Sequence, residues 1–267
     1  MLSLPNVTLL SIETREPALA HWAVDRCLNQ AQFAKVVLIT DLDRVNVRKS
    51  GIDYVQAPEI KTTKDYSDFL LTDIGQHVLG THVLIIQWDS FIIHQELWAD
   101  EFLQYDYIGP VWPHHPENPV GNGGFSLRSV KLLEAINRPE FFKSHPEDYC
   151  ICVDNKAFLE QECGIKIAPI EIAERFAVER SPWHDAFGFH GFFNFGRVLD
   201  DSALENFLNI LPEYASSGLD SYDLISFLRE QGRMKLAKVV AEKVRFKWKM
   251  RKHYIKLKWW QLVTDYL

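Results

Sequence analysis

Hydrophobic residues along the chain fall into two alternating kinds of segment. Val7 to Ile12 and Val36 to Thr40 are short apolar runs rich in β-branched residues, which read as strands buried on both faces. Between them, Pro17 to Phe33 carries Ala20, Trp22, Ala23, Cys27 and Leu28 at helical spacing, so the opening predicts a βαβ unit. A helix over Ser67 to Val78 follows. Thr81 to Ile86, the most hydrophobic run, then predicts a strand that delivers Gln87-Trp88-Asp89-Ser90 to the carboxyl edge of a sheet. That edge is where open α/β sheets bind ligands.

Further on, Tyr107 to Val111 reads as a short strand and Trp112 to Pro119 as a Pro- and His-rich loop. Gly121-Asn122-Gly123-Gly124 reads as a turn leading through Phe125-Ser126-Leu127 into a helix over Ser129 to Asn137. Asp154 to Gln161 predicts a helix, Ile165 to Pro169 a strand, and Phe187 to Phe195 a loop crowded with Gly, Phe and His. From Asp201 the pattern is helical only: Ala203 to Leu211, Ser221 to Gln231, and Met234 onward. The expected organisation is therefore an α/β body over 1–200, with a mixed, mainly parallel sheet flanked by helices, and a helical, basic extension over 201–267.

A chain of 267 residues, 47% hydrophobic and 24% charged, has the composition of one folded body with an appendage rather than a disordered polymer. The formal net charge of -7 argues against nonspecific nucleic-acid binding by the whole chain. That charge is uneven. Arg233 to Lys258 holds eleven Lys and Arg against one acid, Glu242, leaving an acidic remainder. Mixed with Phe246, Trp248, Tyr254, Trp259 and Trp260, these cations read either as a solvated or body-docked face or as a peripheral surface for an anionic membrane. Cys27, Cys150, Cys152 and Cys163 match no zinc spacing, and the start of the sequence has no basic, apolar leader pattern, so a reduced cytoplasmic setting is expected.

Several residues could carry chemistry, and each has a plainer reading beside it. Asp89 at a strand end could hold a divalent cation bridging a diphosphate, or serve only as a turn former. Gly123 and Gly124 could let a ligand approach the backbone, or satisfy a tight connection. Glu147 and Asp148 could act as a general base toward a hydroxyl, or sit as acids at a helix start. His190 could serve a metal or diphosphate, or be hydrogen-bonded inside an aromatic loop. Tyr107, Trp112 and Trp183 could stack on acceptor sugars or fill a core. Thr14 and Asp41, ending the first two strands, are candidates for nucleoside contact together with Gln87.

The order of these segments is more specific than any one of them. Gln-Trp-Asp-Ser (87–90), Tyr-Asp-Tyr-Ile-Gly (105–109), Gly-Asn-Gly-Gly-Phe-Ser-Leu-Arg (121–128), Glu-Asp (147–148), Glu-Ile-Ala-Glu-Arg-Phe-Ala-Val-Glu (171–179) and Phe-Gly-Phe-His (187–190) resemble a family of GT-A-like glycosyltransferase domains over about residues 5–195. The resemblance implies a GT-A-like, Rossmann-related fold and a nucleotide-sugar donor, a UDP-sugar in the first instance. It also implies a glycan or lipid-linked acceptor and Mn²⁺ or Mg²⁺ as cofactor. Carried over, Asp89 matches the last Asp of the metal motif, Gly123 and Gly124 the turn, Asp148 the base of inverting members, and His190 the late metal ligand. The chain departs from the pattern at Gln87, which stands in place of the first Asp and brings no charge. A nucleotidyltransferase and a non-catalytic carbohydrate-binding protein are the competing readings. The first is disfavoured because Ser11-Ile12-Glu13-Thr14-Arg15 lacks the glycine-rich loop it would need.

Overall fold

The computed structural model describes residues 1–216 and 218–265, and the chain divides into two compact units, Met1–His190 and Gly191–Leu267. In the first unit, β1 (Leu2–Ile12), α1 (Pro17–Leu28) and β2 (Ala31–Thr40) form the expected βαβ unit, with Pro17 at the start of the helix where its missing N–H costs nothing. An edge strand, β3 (Asp53–Gln56), adds parallel to β2. Its half-exposed pattern gives the sequence no apolar run to betray it. The next helix, α2 (Thr63–Leu70), starts four residues earlier than the periodicity predicts, because Thr62 and Asp65 form a reciprocal capping box; a separate short 3-10 turn covers Ile74–His77.

Then come β4 (His82–Ile86), buried at every position, β5 (Ser90–Ile92), β6 (Tyr107–Ile108) and β7 (Phe125–Ser129). The six-stranded sheet runs β3-β2-β1-β4-β7-β6, parallel through β4 and antiparallel for its last two pairs. This is the mixed, mainly parallel sheet that the sequence predicts. The local pattern makes β7 a connection into the following helix, α3 (Val130–Ala135). Instead it is a buried strand whose polar residues, Ser126 and Arg128, lie inside the protein.

The chain continues through α4 (Glu147–Tyr149), a π-helical turn at Cys150–Asp154, α5 (Lys156–Glu162) and α6 (Ile170–Phe176). Ile165 to Pro169 is not a strand; only Ile167 bridges to Tyr107. Two short strands, β8 (Ala177–Val178) and β9 (Gly188–His190), join β5 in a second sheet ordered β5-β9-β8, so the Phe187 to Phe195 segment holds a strand in place of the expected loop. Behind this sheet Phe176 and Phe187 pack against each other and against both Phe102 and Phe125, ring centroids 5.2–6.5 Å apart. At Gly188 a Cβ would run into the ring of Phe125, so the two sheets approach closely only because that side chain is absent.

The second unit is helical: α7 (Phe195–Val198), α8 (Asp201–Ile210), α9 (Leu219–Glu230), α10 (Met234–Lys243) and α11 (Arg251–Asp265). Its core gathers Leu204, Phe207, Leu224, Leu228, Leu236 and Val240. Arg233 donates to the Gly196 and Leu199 carbonyls and to Asp201 at 2.6 Å, tying α10 to the end of α7 and the start of α8. No helix among the described residues is long and apolar enough to cross a membrane.

Candidate active site

The carboxyl ends of the parallel strands β1 and β4 lie beside the amino end of the antiparallel β7, and the ends of β8 and β9 are brought to the same place through the second sheet. Gln87 binds this edge together. Its backbone N–H donates to the Gly124 carbonyl at 3.0 Å and to the Ser90 hydroxyl at 2.9 Å, while the Ser90 hydroxyl reaches the Gly124 carbonyl at 2.7 Å.

Two cavities adjoin here. One, of about 280 Å³, is lined by the segment after β1 (Glu13, Thr14, Arg15), by Lys61 to Thr63, and by Tyr66, Gln87 and Trp88. The other, of about 330 Å³, is lined by Ser67, Asn122 to Gly124, His145 to Asp148 and His190, and shares Thr63, Tyr66 and Gln87 with the first. A chain of polar groups leads inward from its wall at Gln87 and His190. His190 faces Glu179 through Nδ1 at 3.1 Å and Gln87 Oε1 through Nε2 at 3.3 Å, and stands 3.5 Å from Asp89 Oδ1. Burial alone would lower the His190 pKa, but the carboxylates of Asp89 and Glu179 outweigh it and hold the imidazolium well above its ordinary range. The ion pair with Asp89 is not aligned as a hydrogen bond, so the buried Oδ1 of Asp89 accepts from no donor among the described residues.

Asn122 sits at φ 58°, a left-handed conformation that its short amide tolerates. The side chain spans both sheets: Oδ1 accepts from the Gly124 N–H at 2.9 Å, and Nδ2 donates to Glu179 Oε2 at 2.7 Å. A Cβ on Gly124 would collide with the His190 imidazole. Gly124→Ala is therefore expected to cost about 1–3 kcal/mol of stability by overpacking. Thermal denaturation checks it.

The acidic pair divides its labour. Glu147 is buried; its Oε1 accepts from Arg128 Nη2 at 3.0 Å and its Oε2 lies 3.3 Å from the Ser67 hydroxyl. It is committed to a buried ion pair, which argues against the catalytic part expected for it. Asp148 keeps an open side. Oδ2 accepts from the Gly123 N–H at 3.1 Å and Oδ1 from the Tyr149 N–H at 2.8 Å, and each oxygen retains a lone pair toward the second cavity.

Of the other expected residues, Thr14, Gln87, Gly123, Gly124 and His190 line the cavities, while Asp89 lies buried beside His190. Asp41 does not line them. Its carboxylate caps the next turn, accepting from the Asp43 N–H and from Arg44, both at 3.1 Å. Tyr107 is wholly buried, with Arg128 over its ring at 5.2 Å, and offers no face to a sugar. Trp112 is buried against Gly121, and neither it nor the half-buried Trp183 lines the two cavities. Tyr66, Ser67, Asn122, Arg128, His145 and Glu179 belong to the site or its support, and the sequence pattern does not single them out. Asn122, Arg128 and Glu179 carry a signal, since each lies in a segment of the ordered motif set.

A divalent cation fits this donor set in one way only. Among the described residues no three His, Cys, Asp or Glu side chains converge into a cage; Asp89 offers the one carboxylate that, with phosphate oxygens, would hold a hard cation, once His190, 3.5 Å from its Oδ1, has given up its proton.

Fold and site together define an α/β protein with a two-part polar cleft at the carboxyl edge of its main sheet. The chain belongs to the family described as protein of unknown function DUF5672, whose profile matches residues 49–190, just over half of its length. No curated protein matches it in sequence. Among solved structures it is similar to the bifunctional IspDF from Campylobacter jejuni, at 12% identity and TM-score 0.39, over 61% of this chain and 48% of that one. The chain thus spans about half the length of that protein. It is also similar to a glycosyltransferase involved in glycosylation of the major capsid of PBCV-1, at 10% identity and TM-score 0.42, over 76% of this chain and 98% of that one. A third is the mannosyltransferase PcManGT from Pyrobaculum calidifontis, in complex with GDP-Man and Mn²⁺, at 12% identity and TM-score 0.43, over 90% and 80%.

Proposed function

We propose that the first unit transfers a glycosyl group from a nucleoside-diphosphate sugar, a UDP-sugar in the first instance, to a hydroxyl of a glycan or lipid-linked acceptor, with inversion. The observation that carries this reading is the polar cluster at the end of β4, where Gln87, which lines both cavities, meets His190 and the buried Asp89 carboxylate behind it. The cavity after β1, with Thr14 and Tyr66, takes the nucleoside, and the cavity over Gly123 and Gly124 takes the sugar and the incoming hydroxyl. Asp89 would hold Mn²⁺ or Mg²⁺, which when bound neutralises charge on the departing diphosphate.

Asp148 accepts the proton of the acceptor hydroxyl as that oxygen bonds to the anomeric carbon. The bond from that carbon to the diphosphate oxygen breaks in the same event, and the nucleoside diphosphate departs with its electron pair. The transition state resembles an oxocarbenium ion, as in glycoside hydrolysis. The Gly123 N–H holds the Asp148 carboxylate in place for this step.

The test is a panel of UDP-, GDP-, CMP- and dTDP-sugars in thermal shift with and without Mn²⁺, followed by product analysis. A donor at about 100 times its Kd is expected to add about 2.7 kcal/mol of stability. Asp89→Asn should lose about 10²- to 10³-fold in turnover with an unchanged far-UV CD spectrum. Full activity in that variant, or stabilisation by none of the panel, would overturn the assignment. Pyrophosphate release from a nucleoside triphosphate would point instead to nucleotidyl transfer.

A further inference from the structure

In the second unit, the cations of the basic segment are of two kinds. Those up to Arg245 are largely engaged: Arg233 with Asp201 at 2.6 Å, Lys235 with Glu205 at 3.0 Å, and Arg245 with Glu213. Lys247, Lys249, Arg251, Lys252, Lys256 and Lys258 pair with no carboxylate among the described residues, although the ring of Trp248 carries Arg251 at 5.1 Å and that of Tyr254 carries Lys258 at 5.4 Å.

The same stretch exposes apolar surface in an ordered way. One side of α11 is buried through Leu257 and Trp260. Ile255, Trp259 and Leu262 recur at i, i+4 and i+7 on the opposite side, a second apolar stripe with each residue more than half exposed. Helical geometry places Arg251 and Lys258 along one margin of that stripe and Lys252 and Lys256 along the other. Just before the helix, Phe246 and Trp248 are also more than half exposed.

We infer that this face of α11, with the Phe246 to Trp248 segment, docks the protein on the surface of a membrane that carries anionic lipid. Apolar side chains in the middle enter the headgroup layer, where Trp is favoured, and the flanking cations meet lipid phosphates. The arrangement separates this partner from the others. Against a nucleic-acid backbone the central stripe would remain in water, and two copies meeting on this face would bring their unpaired cations together. At 15 residues α11 lies along the surface rather than across it. The inference is independent of the glycosyl transfer proposed above, because it draws on no residue of the first unit.

The experiment is cosedimentation of the full chain with vesicles of phosphatidylcholine alone and of phosphatidylcholine with phosphatidylglycerol, at low and high salt. Binding should require the anionic lipid and weaken with salt. Each cation near an anionic surface is expected to alter partition about fivefold, so Lys249→Glu, Lys252→Glu and Lys256→Glu together should weaken binding at least 100-fold. Trp248→Ala with Trp259→Ala should also weaken it and should remove any blue shift in tryptophan emission. These side chains are exposed, so melting temperatures should stay within a few degrees, which separates lost docking from lost folding. Failure to sediment with anionic vesicles, equal binding to neutral ones, or indifference to both sets of substitutions overturns the inference. So does a dimer in sedimentation velocity that the tryptophan substitutions dissolve.

Discussion

Asp148→Asn is expected to abolish glycosyl transfer, with turnover falling about 10²- to 10⁴-fold, while donor affinity stays within a few-fold of the parent protein. The expectation follows from where the carboxylate stands. Its Oδ2 is fixed by the Gly123 N–H at 3.1 Å and its Oδ1 by the Tyr149 N–H, and the whole group borders the cavity assigned to the sugar and the acceptor, apart from Asp89. Asparagine keeps the shape but has no basic oxygen to take a proton, and one of its two positions must present an NH₂ group to a backbone N–H. Donor titration by calorimetry and single-turnover kinetics separate the two parameters. Loss of donor affinity in step with turnover would move Asp148 into the donor site and remove the support for inversion.

The second large effect is on stability. Arg128 is fully buried on β7 with Glu147 as its ionic partner at 3.0 Å; its Nε donates to Ser126, and its Nη1 has no acceptor among the described residues. Arg128→Met leaves the Glu147 carboxylate buried with only Ser67 beside it, which should cost about 3–5 kcal/mol. For a body of this size that corresponds to a fall in Tm of about 6–20 °C. Replacing both partners, Arg128→Met with Glu147→Leu, removes the orphaned charge and should restore most of the loss. If the double variant is as unstable as the single one, the pair matters for strand packing rather than for charge, and Glu147 is not the purely ionic partner its geometry implies.

Much of the main sheet was legible because its strands advertise themselves. β4 and the second halves of β1 and β2 are largely apolar, buried runs, as strands covered on both faces must be, and the helix between the first two carries its own period; the exposed first halves of β1 and β2 have no such run. The strands without a sequence signal break that rule. β7 alternates Phe125 and Leu127 with Ser126 and Arg128; Ser126 is met by its neighbours, but Arg128 is buried on the strength of Glu147, 19 positions on, a fact that no short window contains. β3 is an edge strand with half-exposed residues, and β8 and β9 are two and three residues long. The same limit applies to the site. Asp89, Gly124, Asp148 and His190 are legible through their order in the chain. Nothing in the sequence distinguishes Glu147 as the inward-facing acid of its pair, or Tyr107 as a ring sealed beneath an arginine. Which neighbour turns inward depends on contacts such as Ser67 and Arg128, about 80 and 19 positions away.

The contact between Gly188 and the Phe125 ring gives the cleft an unusual kind of ruler. One jaw of the cleft, Gln87 and Gly124, stands on the large sheet, and the other, Glu179 and His190, on the small one, so the gap between them is gauged by the thickness of aromatic filling behind it. Asn122 latches the jaws in front. The aperture can therefore change without altering a single residue that lines the cleft; exchanging rings at Phe102, Phe125, Phe176 or Phe187 would reset it from behind.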